Sequence, residues 1–390
     1  MNLFEAAPAF SEIGAGIGCG PNAISVLKKL GILEHLMKLI DPSELRDRGF
    51  RFYDGFSESV EPILAYPTVP EEKDQGLALH SRLPRRIIGA LDASSAHFNK
   101  RATAVTESPT NPKRLVIHFQ DGTTHEADVV LGADGIKSTV RPYVLGHKDD
   151  RVKFANTKLK AAGFKYDISE YPASVSGNSK HFILFAIKNA SIINVVAFDA
   201  RYDIEIGDQS LPEGAPWVES VTKNEMKAAY KGMNSSIMAL LECMPETPSK
   251  WSVHVLAPPL ESYAKGRVAL LGDAAHAMLP HWGAGAGQGL EDAYLLVRLL
   301  SDPETDVDNV EEVLQEYSRI RQPRAQMVWE GSRRSGRIYD LSHPDGNTYD
   351  DVRNNLKDMY APVWYHNMDD DVDEVVNELR KKGVFKAMTS

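Results

Sequence analysis

Cysteine is almost absent. The chain of 390 residues has only Cys19 and Cys243, too few for a disulfide framework, which points to a reducing compartment and a cytoplasmic location. No apolar run approaches the length that spans a bilayer. Met1–Glu5 has neither the basic stretch nor the apolar core of a secretory signal. No transmembrane segment is expected. An excess of positive charge is missing too. A formal net charge of −10 argues against sequence-independent nucleic-acid binding, which needs clustered Lys and Arg. The 12 histidines include no His-Glu-x-x-His and no close Cys/His cluster, so no metal site is expected. Neither a P-loop nor a Gly-x-Ser-x-Gly elbow occurs. What remains, 43% apolar and 25% charged residues, is ordinary for a globular protein of one or two domains.

The most informative stretch begins at Gly266. Val268 to Leu271 is a short apolar run ended by Gly272, which reads as a buried strand of a parallel sheet. Asp273 follows at its carboxyl end, where open α/β sheets bind ligands. After Pro280 come Gly283, Gly285, Gly287 and Gly289, at alternate positions with Ala284 and Ala286 between the first three. Glycine lets backbone approach a ligand closely. Leu290, Ala293, Tyr294, Val297 and Leu300 then fall at helical spacing, with Glu291 and Asp292 expected in the first turn, where they suit its positive end. A helix start behind a glycine run favours an anion or an electron-rich carbonyl.

Other segments repeat parts of this logic. Val129–Gly135 is a second apolar run, ending in Asp134-Gly135 and continuing through Lys137, Ser138 and Arg141. Leu115–Phe119, Asp121-Gly122 and Thr123-Thr124 read as a hairpin. Asn22–Lys38 reads as one helix, and Leu77–Leu91 as another carrying His80, Arg82, Arg85 and Arg86. A solvated basic face explains those cations as well as a ligand does. Ile13–Asn22 is glycine-rich but fails the dinucleotide pattern. Counting from Gly14, the sixth position is Cys19, and no buried strand precedes it. Longer strands are expected between Lys153 and Trp251. Tyr317–Arg324 reads as a structural basic helix, and Tyr349–Ser390 as a helical tail whose Asp369–Glu374 cluster is a solvated helix start.

With these motifs in place, the chain resembles class A FAD-dependent monooxygenases, especially the salicylate-hydroxylase-like branch, from Glu5 to the tail. The resemblance implies an α/β FAD/NAD(P)-binding, Rossmann-like domain with an inserted β-rich substrate domain and a helical C-terminal tail. The divisions expected are 1–152 and 253–335 for the FAD-binding parts, 153–252 for the substrate domain and 336–390 for the tail. It implies that Asp273 holds the ribityl chain and that Pro280, Gly283, Gly285 and Ala286 lie against the isoalloxazine ring. Glu5 would hold the adenosine ribose, Gly18 would fall in the flavin-side loop, Asp134 would lie near the pyrophosphate, and Arg82 would touch FAD. Phe185 and His281 would face the substrate, and Trp282 with His281 could equally pack the loop. No catalytic acid or base is implied, because the flavin carries the difficult chemistry.

The implied reaction is aromatic hydroxylation. FAD is reduced by NADPH or NADH, O2 adds at the flavin C4a, and the hydroperoxide passes one oxygen to a phenolic or aromatic-acid molecule. Three departures accompany this resemblance. The family's first strand and true Gly-rich turn have no counterpart before Leu3. A Tyr-Arg pair that meets an acidic substrate is replaced by Ala161-Ala162-Gly163-Phe164-Lys165-Tyr166, without an Arg. Phe185 stands where members often have Tyr. Two rival readings therefore stay open: a non-catalytic remnant that binds FAD poorly, and a flavin-independent binding protein for an aromatic ligand.

Overall fold

The structure, a computed structural model, describes residues 1–10, 17–38, 50–66, 77–79, 93–149, 151–154, 171–187 and 192–386. Arg82 lies outside the described residues, as do His80, Arg85, Arg86 and Ala161–Tyr166.

The apolar run after Gly266 forms the strand Val268–Leu270, every residue of it buried. Val130–Gly132 pairs with it in parallel, in register from Val130 with Val268 to Gly132 with Leu270, and Ala264–Lys265 pairs on its other side, antiparallel. Gly132 is needed for this packing, since a Cβ there would sit 2.8 Å from both Leu270 and Val140. Leu3–Phe4 pairs in parallel with Ala96–His97. These two parallel pairs share no strand among the described residues. The Asp121-Gly122 hairpin forms as expected, joining Leu115–Phe119 to Thr124–Ala127, with Ala102–Glu107 on its far edge. One core binds these pieces: Val268, Leu270, Leu295, Leu299, Val313, Tyr317, Val375 and Leu379 come from the strand and three helices.

A five-stranded sheet forms the second layer, in the order Ile192–Asp199, Lys180–Ile187, Ala173–Gly177, Arg51–Asp54, Leu64–Ala65. Side chains alternate across it. Phe182, Leu184, Val175 and Tyr53 turn to one face, buried under helices Lys223–Ala229 and Ser235–Glu242. His181 and Phe185, each two positions from Ile183, share the other face with it. The sheet does not respect the division expected at 152: Arg51–Asp54 pairs in parallel with Ala173–Gly177. Val152–Phe154 and His254–Leu256 pair antiparallel.

Two helical expectations are corrected. Asn22–Lys38 is two helices, Pro21–Lys29 and Leu33–Met37, broken at Gly31, whose φ of +71° ends the first. The start of Leu77–Leu91 is a strand: Leu77–Leu79 pairs antiparallel with Ile17–Cys19. The basic segment Tyr317–Arg324 lies inside a single 30-residue helix, Val310–Tyr339. The tail is helical over Tyr349–Leu356, Ala361–Trp364 and Met368–Lys381. Leu356 and Tyr360 pack with Tyr339 and Phe52, so the tail covers the sheet's second face. The acidic start of the last helix is not wholly solvated. Asp371 is buried and meets His366 Nε2 at 2.9 Å, and Asp369 pairs with Lys29. No helix among the described residues is long and apolar enough to cross a membrane.

Candidate active site

The parallel pair Val130–Gly132 and Val268–Leu270 ends with Ala133-Asp134 on one strand and Asp273 on the other, all exposed. Gly272, at φ +58°, turns the chain so that Asp273 opens the short helix Asp273–His276. The Asp273 carboxylate takes no hydrogen bond from the described residues. Its loop then passes the exposed Pro280 and Gly283. Gly283 has φ +59°, and a Cβ built there meets no atom within 4 Å. That combination is an open cradle: backbone in a conformation other residues resist, facing free space.

The helix begins earlier than its apolar spacing indicates. It spans Gly285–Leu300, starting inside the glycine run, and no side chain caps its first amides. Asp273, Pro280, Gly283, Gly285 and Ala286 thus surround one loop. The other two glycines serve packing. A Cβ on Gly287 would stand 3.3 Å from Asn22 Nδ2, and one on Gly289 would stand 3.4 Å from Gly272 Cα. These contacts seat helix Pro21–Lys29 and the Asp273 turn against the helix start. The strand before Pro21 carries Gly18, paired with Ala78.

The early start also overturns the dipole role for Glu291 and Asp292. They lie in the second turn, fully buried, and belong to an ion cluster. Arg321 Nη1 donates to Glu291 at 2.8 Å and its Nε to Asp292 at 2.8 Å, while Arg324 Nη2 reaches Glu291 at 2.9 Å. Asn22 Nδ2 donates to Glu291 at 2.7 Å. Asp292 also accepts from the Gly272 amide at 2.9 Å and meets His276 Nε2 at 2.6 Å. Burial opposes ionisation of Asp292, but the His276 and Arg321 neighbours outweigh it and hold its carboxyl at about 2. The cluster fixes the turn that presents Asp273.

Asp134 points inward to its own loop. It accepts from the amides of Thr139 and Val140 at 2.6 and 3.2 Å and from the hydroxyl of Thr139 at 3.0 Å. Ser138 donates to it as well. What this turn offers outward is backbone. Arg141 is buried, donating to the Ala274 carbonyl at 2.9 Å, and so ties this loop to the Asp273 helix. Glu5 follows Leu3–Phe4, and its Oε1 takes the Ala7 amide at 2.8 Å.

On the sheet side, Phe185 is half-buried and paired with Asn194. His281 is only 7% exposed. Both His281 and Trp282 press on the long helix, at glycines: a Cβ on Gly336 would lie 2.6 Å from the His281 ring, and one on Gly331 would lie 2.0 Å from Trp282. The loop-packing role is therefore real for both. His281 also sits 5.2 Å from the ring of His181. His181 Nδ1 meets Asp340 at 2.6 Å, and Tyr202 donates to the other Asp340 oxygen at 2.6 Å. The far nitrogen of His181, Nε2, has no partner, nor has His281 Nδ1. The sequence reading missed His181, Tyr202 and Asp340. Nothing in their spacing joins them, and only the fold does.

The chain is similar to known proteins along most of its length. A model of the FAD binding domain matches residues 90–332. A salicylate hydroxylase from Pseudomonas putida is 38% identical, over 96% of this chain and 88% of that protein. A 6-hydroxynicotinate 3-monooxygenase from Bordetella bronchiseptica is 30% identical, over 88% and 87% respectively. A solved salicylate hydroxylase substrate complex superposes with a TM-score of 0.83 at 29% identity, covering 93% of this chain and 90% of that one. With the cradle already built from Asp273 and its glycine loop, these likenesses identify the chain as a member of the FAD-dependent aromatic monooxygenases, on the salicylate hydroxylase branch.

Proposed function

We propose that this chain hydroxylates a phenolic or aromatic-acid small molecule in the cytoplasm, using FAD, NADPH or NADH, and O2. A ring carbon–hydrogen bond becomes carbon–hydroxyl. One oxygen atom of O2 enters the product, the other leaves as water, and NAD(P)H supplies two electrons. Bound FAD supplies the redox chemistry.

The chain's own residues bind and orient. The observation that carries the reading is the pair of features on one turn-and-loop segment: an Asp273 carboxylate with no partner among the described residues, and Gly283 at φ +59° with open space around it. Asp273 would accept hydrogen bonds from the ribityl hydroxyls. Gly283, Gly285 and Ala286 would leave room for the ring, with the uncapped helix amides facing its carbonyl side. Glu5 keeps one carboxylate oxygen for a ribose hydroxyl. Gly18 and the Asp134 turn would complete the dinucleotide contact. The sheet face with Phe185 and the loop residue His281 would wall the substrate and exclude water.

Incubation of the FAD-loaded protein with NADPH or NADH under 18O2 and a set of phenols and aromatic acids tests this. One labelled oxygen per product is expected, with reduced nicotinamide consumed only in step with the aromatic compound. Unlabelled product, or no aromatic-dependent consumption across the set, would refute the reading.

A further inference from the structure

Gly20 follows the strand Ile17–Cys19 at φ −70°, a conformation open to any residue. What it lacks is room. A Cβ there would lie 3.0 Å from Trp364 Nε1 and 3.0 Å from Asn22 Oδ1. Glycine at this position lets an indole from the far end of the chain lie close against the backbone of the Gly18 segment. Trp364 is the last residue of the short tail helix Ala361–Trp364.

The same turn reaches the other loop. Tyr360, four positions before Trp364 and buried, stacks on it with ring centroids 4.8 Å and planes 10° apart. Tyr360 also meets the ring of Trp282, the neighbour of Gly283, at 6.3 Å. Tyr66 stands edge-on to both tail rings, at 5.2 and 5.7 Å, and the Tyr360 hydroxyl shares a hydrogen bond with that of Tyr339 at 2.9 Å. The backbone between the two tail rings is held as well. Arg324 Nη1 donates to the Pro362 carbonyl at 2.6 Å, and Nη2 to that of Val363 at 3.2 Å. The same guanidinium holds Glu291, which accepts from Asn22, two residues beyond Gly20. One aromatic stack thus touches the Gly18–Gly20 segment at one end and the Trp282–Gly283 segment at the other, and the ion cluster anchors it.

We propose that Tyr360 and Trp364 are positioning residues for FAD: their stacked rings set how far apart the Gly18–Gly20 and Trp282–Gly283 segments stand. The assignment rests on the reading above that both segments face FAD. The rings act through the two segments, as a supporting shell holds the groups that touch a ligand. Coupling of this kind is reciprocal, so bound FAD must in turn hold the tail turn more firmly.

The test combines FAD titration with amide hydrogen exchange. Trp364→Ala is expected to weaken FAD about 10-fold or more, the scale on which outer supporting contacts act on a bound group, and to shift the visible bands of the flavin that still binds. Trp364→Phe keeps a ring that can stack and should recover most of the affinity. Leu379→Ala empties a fully buried site in the last tail helix, within the core of Val268 and Leu295. It should lower the urea midpoint yet bind FAD with wild-type affinity and bands. In the wild type, FAD should slow exchange at Val363, Trp364 and Tyr365, whose N–H groups close the turn, by more than in helix Met368–Lys381. Wild-type affinity in Trp364→Ala, an equal loss in Leu379→Ala, or exchange at those three amides that FAD does not slow overturns the assignment and leaves the cradle standing. Should Trp364→Ala not fold, the exchange result decides. A wild type that binds no FAD is the separate failure, that of the reading beneath it.

Discussion

Replacing Arg321 with methionine is expected to destabilise the fold by about 3–5 kcal/mol, the cost of breaking a buried ion pair from one side. Arg321 is fully buried and serves Glu291, Asp292 and, at 2.9 Å, Gln288 Oε1. Burial opposes its charge, but the two carboxylates outweigh that and raise its pKa further. Without it, Asp292 keeps only the His276 ring and the Gly272 amide, and Glu291 keeps Arg324 and Asn22. A buried carboxylate short of partners is costly, whereas methionine fills much of the volume. Urea unfolding measures the effect as a lower midpoint with an unchanged slope. Arg319→Met is the comparison. Arg319 pairs with Glu316 and Glu374 at a half-exposed site, so its loss should cost no more than about 1 kcal/mol. Equal midpoints for the wild type and Arg321→Met would show that the cluster holds nothing together.

The second large effect concerns the cofactor. Gly283→Val is expected to lower FAD affinity by about two orders of magnitude, roughly 3 kcal/mol of binding. Two causes act together. A β-branched residue at φ +59° is strained. Its side chain would also project into the space where no protein atom stands within 4 Å, the space assigned to the ring. Strain alone can be separated from obstruction with Gly122→Val. Gly122 sits at φ +81° in the hairpin turn, also with nothing within 4 Å. Both variants should lose stability, and only Gly283→Val should lose FAD. Flavin fluorescence quenching on titration reads the affinity. Equal FAD affinity in the two variants would remove the ring from the loop.

The parts of this site that were legible in the sequence are the local ones. Strand, Asp273, Pro280, glycines and helix follow one another within a few turns of chain, so their order specifies an exposed loop between a buried strand and a helix. The hairpin at Gly122 was equally readable, because its turn residues state its geometry. What the order could not reveal is which glycines face out. Gly283 and Gly287 look alike in sequence, but one borders open space and the other admits Asn22. Glu291 and Asp292 were misplaced for a related reason. Apolar spacing locates the buried stripe of a helix and not its first residue, and a start at Gly285 moves two acids expected in the first turn to buried positions further along. The polar cluster at Asp340 was illegible for a different reason. His181 and Tyr202 meet Asp340 across 159 and 138 residues of sequence, and only the packing of the long helix on the sheet brings them together. The strand Arg51–Asp54 likewise joins a sheet whose other long strands come more than a hundred residues later.

Absorbance titration of the purified chain with FAD, beside Asp273→Ala, tests the cradle most directly. The wild type is expected to turn yellow, with saturable oxidised-flavin bands shifted from those of free FAD, and Asp273→Ala to bind about 10-fold more weakly or worse, because a free carboxylate facing hydroxyls contributes a charge-assisted hydrogen bond. A wild-type chain that FAD cannot colour, or an Asp273→Ala chain that binds it as tightly as the wild type, would contradict the cradle at Asp273 and Gly283.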